Sequence, residues 1–111
     1  MTGILGWKEE TDKTGVTSYY KSLGILKTLT IKSTSSKFWG EAFGIDERGI
    51  VEVIQSEDGK WHKRIKNLAL TPTGDFAVEK GDLKAQIKSD EVISDIKTIE
   101  QLAKFLESLV P

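Results

Sequence analysis

Two short segments of the same form, DERG at 46–49 and SEDG at 56–59, stand on either side of the strand-like run IVEVI. Each begins with Asp or Ser and ends with Gly, which is the residue preference of a type I turn. Inside a β-hairpin this pattern is typical of a three-residue loop whose glycine takes the left-handed conformation of a bulge. The two segments therefore predict two consecutive hairpins that share IVEVI as their common strand.

Loops of this length set a register for both hairpins, because side chains alternate between the two faces of a strand. In the first hairpin we expect the pairs Ile45–Val51, Phe43–Val53 and Glu41–Gln55. In the second we expect Val51–Ile65, Val53–Lys63, Gln55–Trp61 and Glu52–Arg64. One face then carries Trp39, Phe43, Ile45, Val51, Val53, Trp61 and Ile65. The opposite face carries Gly40, Ala42, Gly44, Glu52, Ile54, His62, Arg64 and Lys66.

A helix over residues 60–70 is the competing interpretation, since Trp61, Ile65 and Leu68 also recur at helical spacing. The turn residues EDG just before this segment and the strong strand partner IVEVI favour the strand. The decisive observation is the placement of Trp61 and Arg64, which the strand register puts on opposite faces.

The remainder of residues 25–88 also shows the two-residue period of β-strands. In ILKTLTIKS, the residues Ile25, Leu29 and Ile31 share one face. In LKAQIK, we expect Leu83, Ala85 and Ile87 to face inward. The segment DFAVEKGDLKAQI is typical of a hairpin that turns at Lys80-Gly81. The sequence therefore predicts an antiparallel β-meander over residues 25–88.

The C-terminal segment TIEQLAKFLESL predicts one helix over residues 98–109. Thr98 followed by Gln101 forms a capping box. Apolar residues recur behind it at helical spacing, namely Ile99, Leu102, Ala103, Leu106 and Leu109. The preceding segment SDEVISDI is compatible with an extra helical turn or with a loop. We therefore expect an α+β fold, in which one C-terminal helix packs on a mainly antiparallel curved sheet or small open β-barrel of about five to seven strands.

Residues 1–24 form an N-terminal arm whose structure the sequence leaves open between a helical turn and an edge strand. Val16, Tyr20 and Leu23 fit one helical turn that Gly24 closes. Tyr19 and Tyr20 are adjacent, so on a strand they would point to opposite sides. If the arm is ordered, we expect Trp7 to anchor it to the core.

Length and composition predict a single domain over residues 1–111 that lies in the cytoplasm. The chain has no cysteine, no apolar run of membrane-spanning length and no signal-peptide pattern at its N-terminus. Its net charge is −1, but lysines without acids fill the range 13–40 and acids are concentrated in 75–107. This segregation is typical of the solvated faces of a small domain, and it is also compatible with a polar surface field.

Catalytic and metal-binding patterns are missing from the sequence. His62 is the only histidine, so we expect no metal, no cofactor and no nucleophilic triad. Paired acids such as Glu57-Asp58 fall in turns, where they favour the turn conformation. These features argue against an enzyme and favour a small interaction domain or accessory subunit.

The segment KWHKRIK at 60–66 carries the candidate binding residues. The register separates Trp61 from a basic row on the other face, next to the small residues Gly40, Ala42 and Gly44. Such residues allow close approach of another backbone or a flat ligand, and they could equally admit a packing helix or the next sheet of a barrel. The predicted partner-binding residues are His62, Arg64, Lys66, Lys32, Lys37, Ile54, Gly40 and Gly44. A protein partner is favoured, and a homo-oligomer is compatible with the pattern. The alternative is a module for single-stranded DNA or RNA that uses the same face together with Lys27. A small hydrolase or ligand-binding barrel is a more distant third interpretation.

Overall fold

The computed structural model describes residues 4, 6–47, 49–67, 69–70, 76–77, 79–80, 83–84 and 87–111. Strands and one helix occupy these residues in the order β1 Lys8–Thr11, β2 Thr17–Gly24, β3 Lys27–Ser33, β4 Phe38–Asp46, β5 Gly49–Gln55, β6 Trp61–Lys66, β7 Ala69–Leu70, β8 Phe76–Ala77, β9 Glu79–Lys80, β10 Leu83–Lys84, β11 Ile87–Val92 and α1 Ile99–Ser108. Within this part of the chain, no helix is long and apolar enough to span a membrane.

The main sheet contains seven antiparallel strands in the order β1-β2-β3-β4-β5-β6-β11. Strands β1 to β6 form a meander, and β11 returns to pair with β6 at the far edge. Two small two-stranded sheets pair β7 with β8 and β9 with β10. The sheet is curved and open, so the α+β prediction is confirmed in its open-sheet form.

The C-terminal helix lies where the sequence predicted it. The Thr98 hydroxyl accepts a hydrogen bond from the Gln101 backbone N–H at 3.1 Å. The Gln101 side chain accepts one from the Lys97 backbone N–H at 2.7 Å, so the capping box closes one residue earlier than in its usual form. The buried stripe of the helix consists of Leu102, Ala103 and Leu106, and it packs on β3 and β4.

The core lies between α1 and one face of the sheet. Leu29, Ile31 and Val53 on the sheet and Leu102 and Leu106 on the helix are fully buried. Gly40 lies directly beneath the helix, where a Cβ would come within 2.8 Å of the Leu106 Cδ1 and 3.3 Å of the Leu102 Cδ1. A small residue on β4 therefore lets two large helix side chains settle on the sheet.

The predicted register of the second hairpin is confirmed. Val51 pairs with Ile65, Glu52 with Arg64 and Gln55 with Trp61. The turn before β6 closes with a 2.9 Å hydrogen bond from the Gly59 N–H to the Ser56 carbonyl, and Gly59 has φ +82°. Trp61 is buried in the core, while Arg64 lies on the other face.

The predicted register of the first hairpin is wrong. Gly40 pairs with Val53, Glu41 with Glu52 and Ala42 with Val51, whereas we expected Phe43 opposite Val53. Asp46 pairs directly with Gly49, which shortens the connecting loop relative to the three-residue expectation.

Two offsets account for the difference. The shorter loop moves the pairing by one residue, which inverts the faces of β4, so Gly40 and Ala42 face the helix and Trp39 lies on the opposite face. Between Asp46 and Ala42 a further shift of two residues preserves the alternation. Gly44 lies within this shift at φ +84°, a conformation that glycine adopts without steric cost and that is typical of bulges.

The N-terminal arm forms strands rather than the helical turn. Strand β1 is an edge strand that pairs with β2, and β2 pairs with β3. Tyr19 is buried and Tyr20 faces the other side, as expected for a strand. Trp7 anchors the arm, since it is 9% exposed and its indole Nε1 donates a 3.4 Å hydrogen bond to Glu107 on α1.

The segment that leads into the helix differs from expectation in two places. Ser89–Val92 belongs to strand β11 rather than to an extra helical turn or a loop. Ile87, predicted to face inward, is 53% exposed because it begins an edge strand beside a register shift between Ile87 and Ser89.

The hairpin predicted for DFAVEKGDLKAQI is present only in part. Glu79–Lys80 pairs with Leu83–Lys84, so Lys80 belongs to the strand rather than to the turn, and Phe76–Ala77 pairs with Ala69–Leu70 instead. The predicted inward orientation of the Leu83 side chain, and Ala85 itself, lie outside what the structure describes.

Candidate functional site

The face of the sheet opposite α1, which we call the open face, is defined by the strand register. Its central row runs across the sheet through directly paired residues, which are Tyr20, Thr30, Glu41, Glu52, Arg64 and Asp90. Apolar and aromatic side chains flank this polar row, and Trp39, Phe43 and Ile54 among them are half-buried. No described element packs across this face.

Most of the predicted partner-binding residues lie on the open face. Lys32 pairs in register with Trp39, and Ile54 pairs with His62, while Arg64 and Lys66 follow at alternate positions. The Lys37 ammonium lies 5.2 Å from the centroid of the Trp39 ring.

Two of the predicted partner-binding residues do not lie on the open face. Gly40 lies under the helix, and Gly44 lies at the bulge, where a Cβ would collide with the Leu26 carbonyl. Both glycines therefore serve close packing within the chain itself.

His62 is held between two carboxylates. Its Nδ1 lies 2.7 Å from Asp90 Oδ1 and its Nε2 lies 3.1 Å from Asp58 Oδ2, while the side chain is only 11% exposed. Hydrogen bonds to Asp90 and Asp58 raise the pKa of His62, and the bond to His62 lowers the pKa of Asp90. The backbone N–H of Lys60, and then His62, lower the pKa of Asp58. The ring therefore acts as a cationic link between the turn at 56–59, β6 and β11, with both nitrogens occupied.

The charge on His62 leads to a pH-dependent prediction. Because its pKa is raised in the folded state, its stabilising contribution is complete below the unfolded value of about 6.5 and disappears as the pH rises through the folded value. The chain has one histidine, so the NMR signals of its ring C–H protons report the titration of this residue alone. We expect an apparent pKa above about 6.5 that falls in Asp90→Asn. An apparent pKa at or below the unfolded value in the wild type would contradict the double ion pair.

The other cations of the basic row are also paired by the chain itself. Arg64 Nε donates to Asp90 Oδ2 at 2.9 Å, and its Nη2 donates to the Ser56 hydroxyl at 3.2 Å. The Lys66 ammonium lies 3.3 Å from Glu52 Oε1. The acids of β11 and β5 thus hold these side chains in place and reduce the positive potential that they produce.

Glu41 is an acid of the open face that lies next to a second acid. It is half-buried and faces Glu52 directly across the β4–β5 pair. Burial and the neighbouring Glu52 raise the pKa of Glu41, while Lys32 and Lys66 partly offset the effect. Like charges at directly opposite positions destabilise a sheet, and the ion pair between Lys66 and Glu52 reduces this cost.

A cavity of about 310 Å³ opens at the end of this face where β4 begins. Its lining consists of Lys37, Phe38, Trp39, Glu52, Ile54, Gln55 and Ser56. A second cavity of about 260 Å³ shares Lys37, Phe38 and Gln55 with it. We call the first one the open-face cavity.

Several residues of this face were missed by the sequence reasoning. Trp39 and Phe43 were assigned to the core face, because a three-residue loop was expected where Asp46 pairs directly with Gly49. The available signal was the alternation of Gly40 and Ala42, whose small side chains match the large leucines of a packing helix. Large residues at the intervening positions then belong to the other face.

Among the described residues, no group of three or more His, Asp or Glu side chains could hold a metal ion. Comparison of the chain with protein-family models, with curated proteins and with solved structures gave no match. The function must therefore be inferred from the geometry of the open face.

Proposed function

We propose that this chain is a non-enzymatic interaction domain, or accessory subunit of a larger assembly, that binds a protein partner on its open face. The observation that carries the proposal is the set of half-buried side chains Trp39, Phe43 and Ile54 on a face that no described element covers. Aromatic side chains at the centre of a patch with charges at its margin are typical of protein interfaces.

The ion pairs that the charged residues of the open face form within the chain favour a protein partner over a nucleic acid. Arg64, Lys66 and His62 each contact a carboxylate of the same chain, which competes with phosphate for these cations. Glu41 places a further acid beside them. A partner that presents both apolar and charged groups matches this mixture better than a polyanion does.

Both ring nitrogens of His62 are hydrogen-bonded to carboxylates of the same chain, which supports a non-enzymatic role. A general base needs a nitrogen that can accept a proton from a substrate or a nucleophile. In this structure Asp90 and Asp58 occupy the two ring positions. The histidine therefore contributes order to the β6–β11 edge rather than catalysis.

Affinity capture from the native host, with and without nuclease, tests the proposal. Wild-type protein should retain a stoichiometric protein partner after nuclease treatment. Ile54→Arg, which fills the open-face cavity, should lose it, whereas Lys104→Glu on the exposed side of α1 should retain it. Equal capture by Ile54→Arg would exclude the open face as the binding surface.

A direct binding assay tests the nucleic-acid alternative. We expect no change in the anisotropy of a labelled single-stranded oligonucleotide at low salt. Salt-sensitive binding that is weakened by Arg64→Ala and Lys66→Ala would contradict the proposal, because phosphate contacts depend on ionic strength.

A further inference from the structure

The turn between β2 and β3 exposes two large aliphatic side chains. Gly24 pairs with Lys27, so Ile25 and Leu26 form the connecting loop, which we call the hairpin tip. Ile25 is 91% exposed and Leu26 is 75% exposed. The alternation of the sequence predicted Ile25 on a strand face with Leu29 and Ile31, but β3 begins only at Lys27.

The backbone of the tip takes a conformation that suits another residue. Leu26 has φ +59°, and it is the only described residue other than glycine with a positive φ. A left-handed conformation costs an L-residue about 1–2 kcal/mol relative to the right-handed one. Since the Leu26 side chain is mostly exposed, its burial within the chain does not offset this cost. Strain of this kind is concentrated at functional positions.

The tip is also held in place. The Leu26 carbonyl lies where a Cβ of Gly44 would be, so the absence of a side chain at Gly44 lets the turn pack against the β4 bulge. Two unusual backbone positions on neighbouring strands thus present Ile25 and Leu26 in a defined orientation.

The tip and the open-face cavity lie at opposite ends of the same sheet. Strand β3 runs from Lys27 at the tip to Ser33, next to the loop that leads to Lys37 and Phe38 in the cavity. A strand of this length spans roughly 20 Å. The tip therefore cannot fill the cavity of its own chain, but the tip of a second copy can.

The two surfaces are complementary in their apolar groups. The cavity offers the apolar side chains of Trp39 and Ile54 in about 310 Å³, enough for aliphatic side chains to enter. Lys27 beside the tip and Lys37 in the cavity lining carry the same sign, and Glu52 already pairs with Lys66, so apolar burial drives the contact.

We propose that Ile25 and Leu26 of one copy bind in the open-face cavity, formed around Trp39 and Ile54, of a second copy. The inference rests on the proposed function, because it assigns the partner of the same face. A contact between two different patches is heterologous, so it generates a ring or an open chain of copies. The contact area is small, so each step is weak and depends on concentration.

A lipid surface is the competing occupant of the tip. Two aliphatic side chains give only marginal membrane binding without a strong basic flank. The exposed Lys27 follows the tip, but one lysine does not make a strongly basic flank, so a protein partner is favoured.

Sedimentation velocity between about 10 µM and about 1 mM tests the proposal, a range that covers weak contacts. We expect the wild-type sedimentation coefficient to rise with concentration. The tip variant Ile25→Asn/Leu26→Gly and the cavity variant Ile54→Arg should each remain monomeric. An equimolar mixture of the two should form dimers and nothing larger, because each contributes one intact surface. Ile87→Asn, which removes another exposed apolar side chain, should behave as wild type.

The tip variant also controls for folding, since glycine suits the left-handed position and should leave the melting temperature unchanged or higher. If Ile54→Arg does not fold, Gln55→Trp blocks the cavity from its exposed rim.

Three results would overturn the inference. These are a wild type that stays monomeric throughout, self-association that the tip variant does not reduce, and a mixture that stays monomeric. Monomeric wild type that co-sediments with phosphatidylcholine/phosphatidylglycerol vesicles through the tip would assign the tip to a bilayer instead. Monomeric wild type that still captures a host protein through Ile54 would overturn self-association alone and leave the proposed function intact.

Discussion

Leu106→Ala is expected to lower the free energy of unfolding by about 2–5 kcal/mol. Leu106 is fully buried and lies over Gly40, where the sheet offers no side chain to fill the space that the truncation leaves. A loss of this size is a large part of the roughly 5–15 kcal/mol that stabilises a domain. Chemical denaturation followed by circular dichroism measures it.

The matched control for Leu106→Ala is Lys104→Ala on the exposed side of the same helix. It should change the free energy of unfolding by less than about 0.5 kcal/mol. Equal effects of the two substitutions would mean that α1 does not pack on β3 and β4 through its leucine stripe.

Gly44→Ala is expected to be the most damaging single substitution at the β4 bulge. The new Cβ costs about 1–3 kcal/mol for the left-handed conformation at φ +84°. It also overlaps the Leu26 carbonyl, which is backbone and cannot move aside alone. Thermal denaturation should therefore show a marked fall in melting temperature, together with displacement of the hairpin tip.

Gly59→Ala separates the two costs of Gly44→Ala. Gly59 has a similar φ of +82°, but beyond its chain neighbours no atom lies within 4 Å of the position that a Cβ would take. The difference between the two variants measures the collision with Leu26 alone. A Gly44→Ala variant no less stable than Gly59→Ala would contradict the close approach of the β2–β3 turn to the bulge.

The turns at 46–49 and 56–59 show how far local sequence determines a β-meander. SEDG predicted the β5–β6 register correctly, because its turn has the expected length and its glycine takes the left-handed conformation. DERG did not predict the β4–β5 register, because its loop is one residue shorter than expected and a shift within β4 near Gly44 adds two more residues. Turn chemistry therefore fixes a register only where the loop has the expected length and the flanking strands are regular.

The helix shows which tertiary information the sequence lacked. Its cap, its length and its buried stripe follow from local pattern, and all were predicted. Which face of the sheet it covers depends on Gly40 and Ala42, whose small size has meaning only once the leucines of α1 are known to lie above them. Small residues on one face of a strand indicated close approach, but not of which partner.

The charged row of the open face was also only partly predictable from the sequence. The prediction of Arg64 opposite Glu52 was correct, but the return of β11 beside β6 could not be anticipated from a segment that was compatible with a helical turn or a loop. That return brings Asp90 to His62 and Arg64. The apolar tip was missed because Ile25 continues the alternation of β3 in sequence, although the backbone turns before it.

An NMR dilution series tests most directly whether recognition takes place on the open face. With ¹⁵N-labelled protein, the Trp39 indole signal and the backbone amides of Ile25, Leu26 and Lys27 should shift together as the concentration rises. Signals from the exposed side of α1, such as those of Glu100 and Lys104, should stay fixed. Concentration-dependent shifts confined to α1, or no shifts at the Trp39 indole and the tip, would contradict recognition through the open face and the tip.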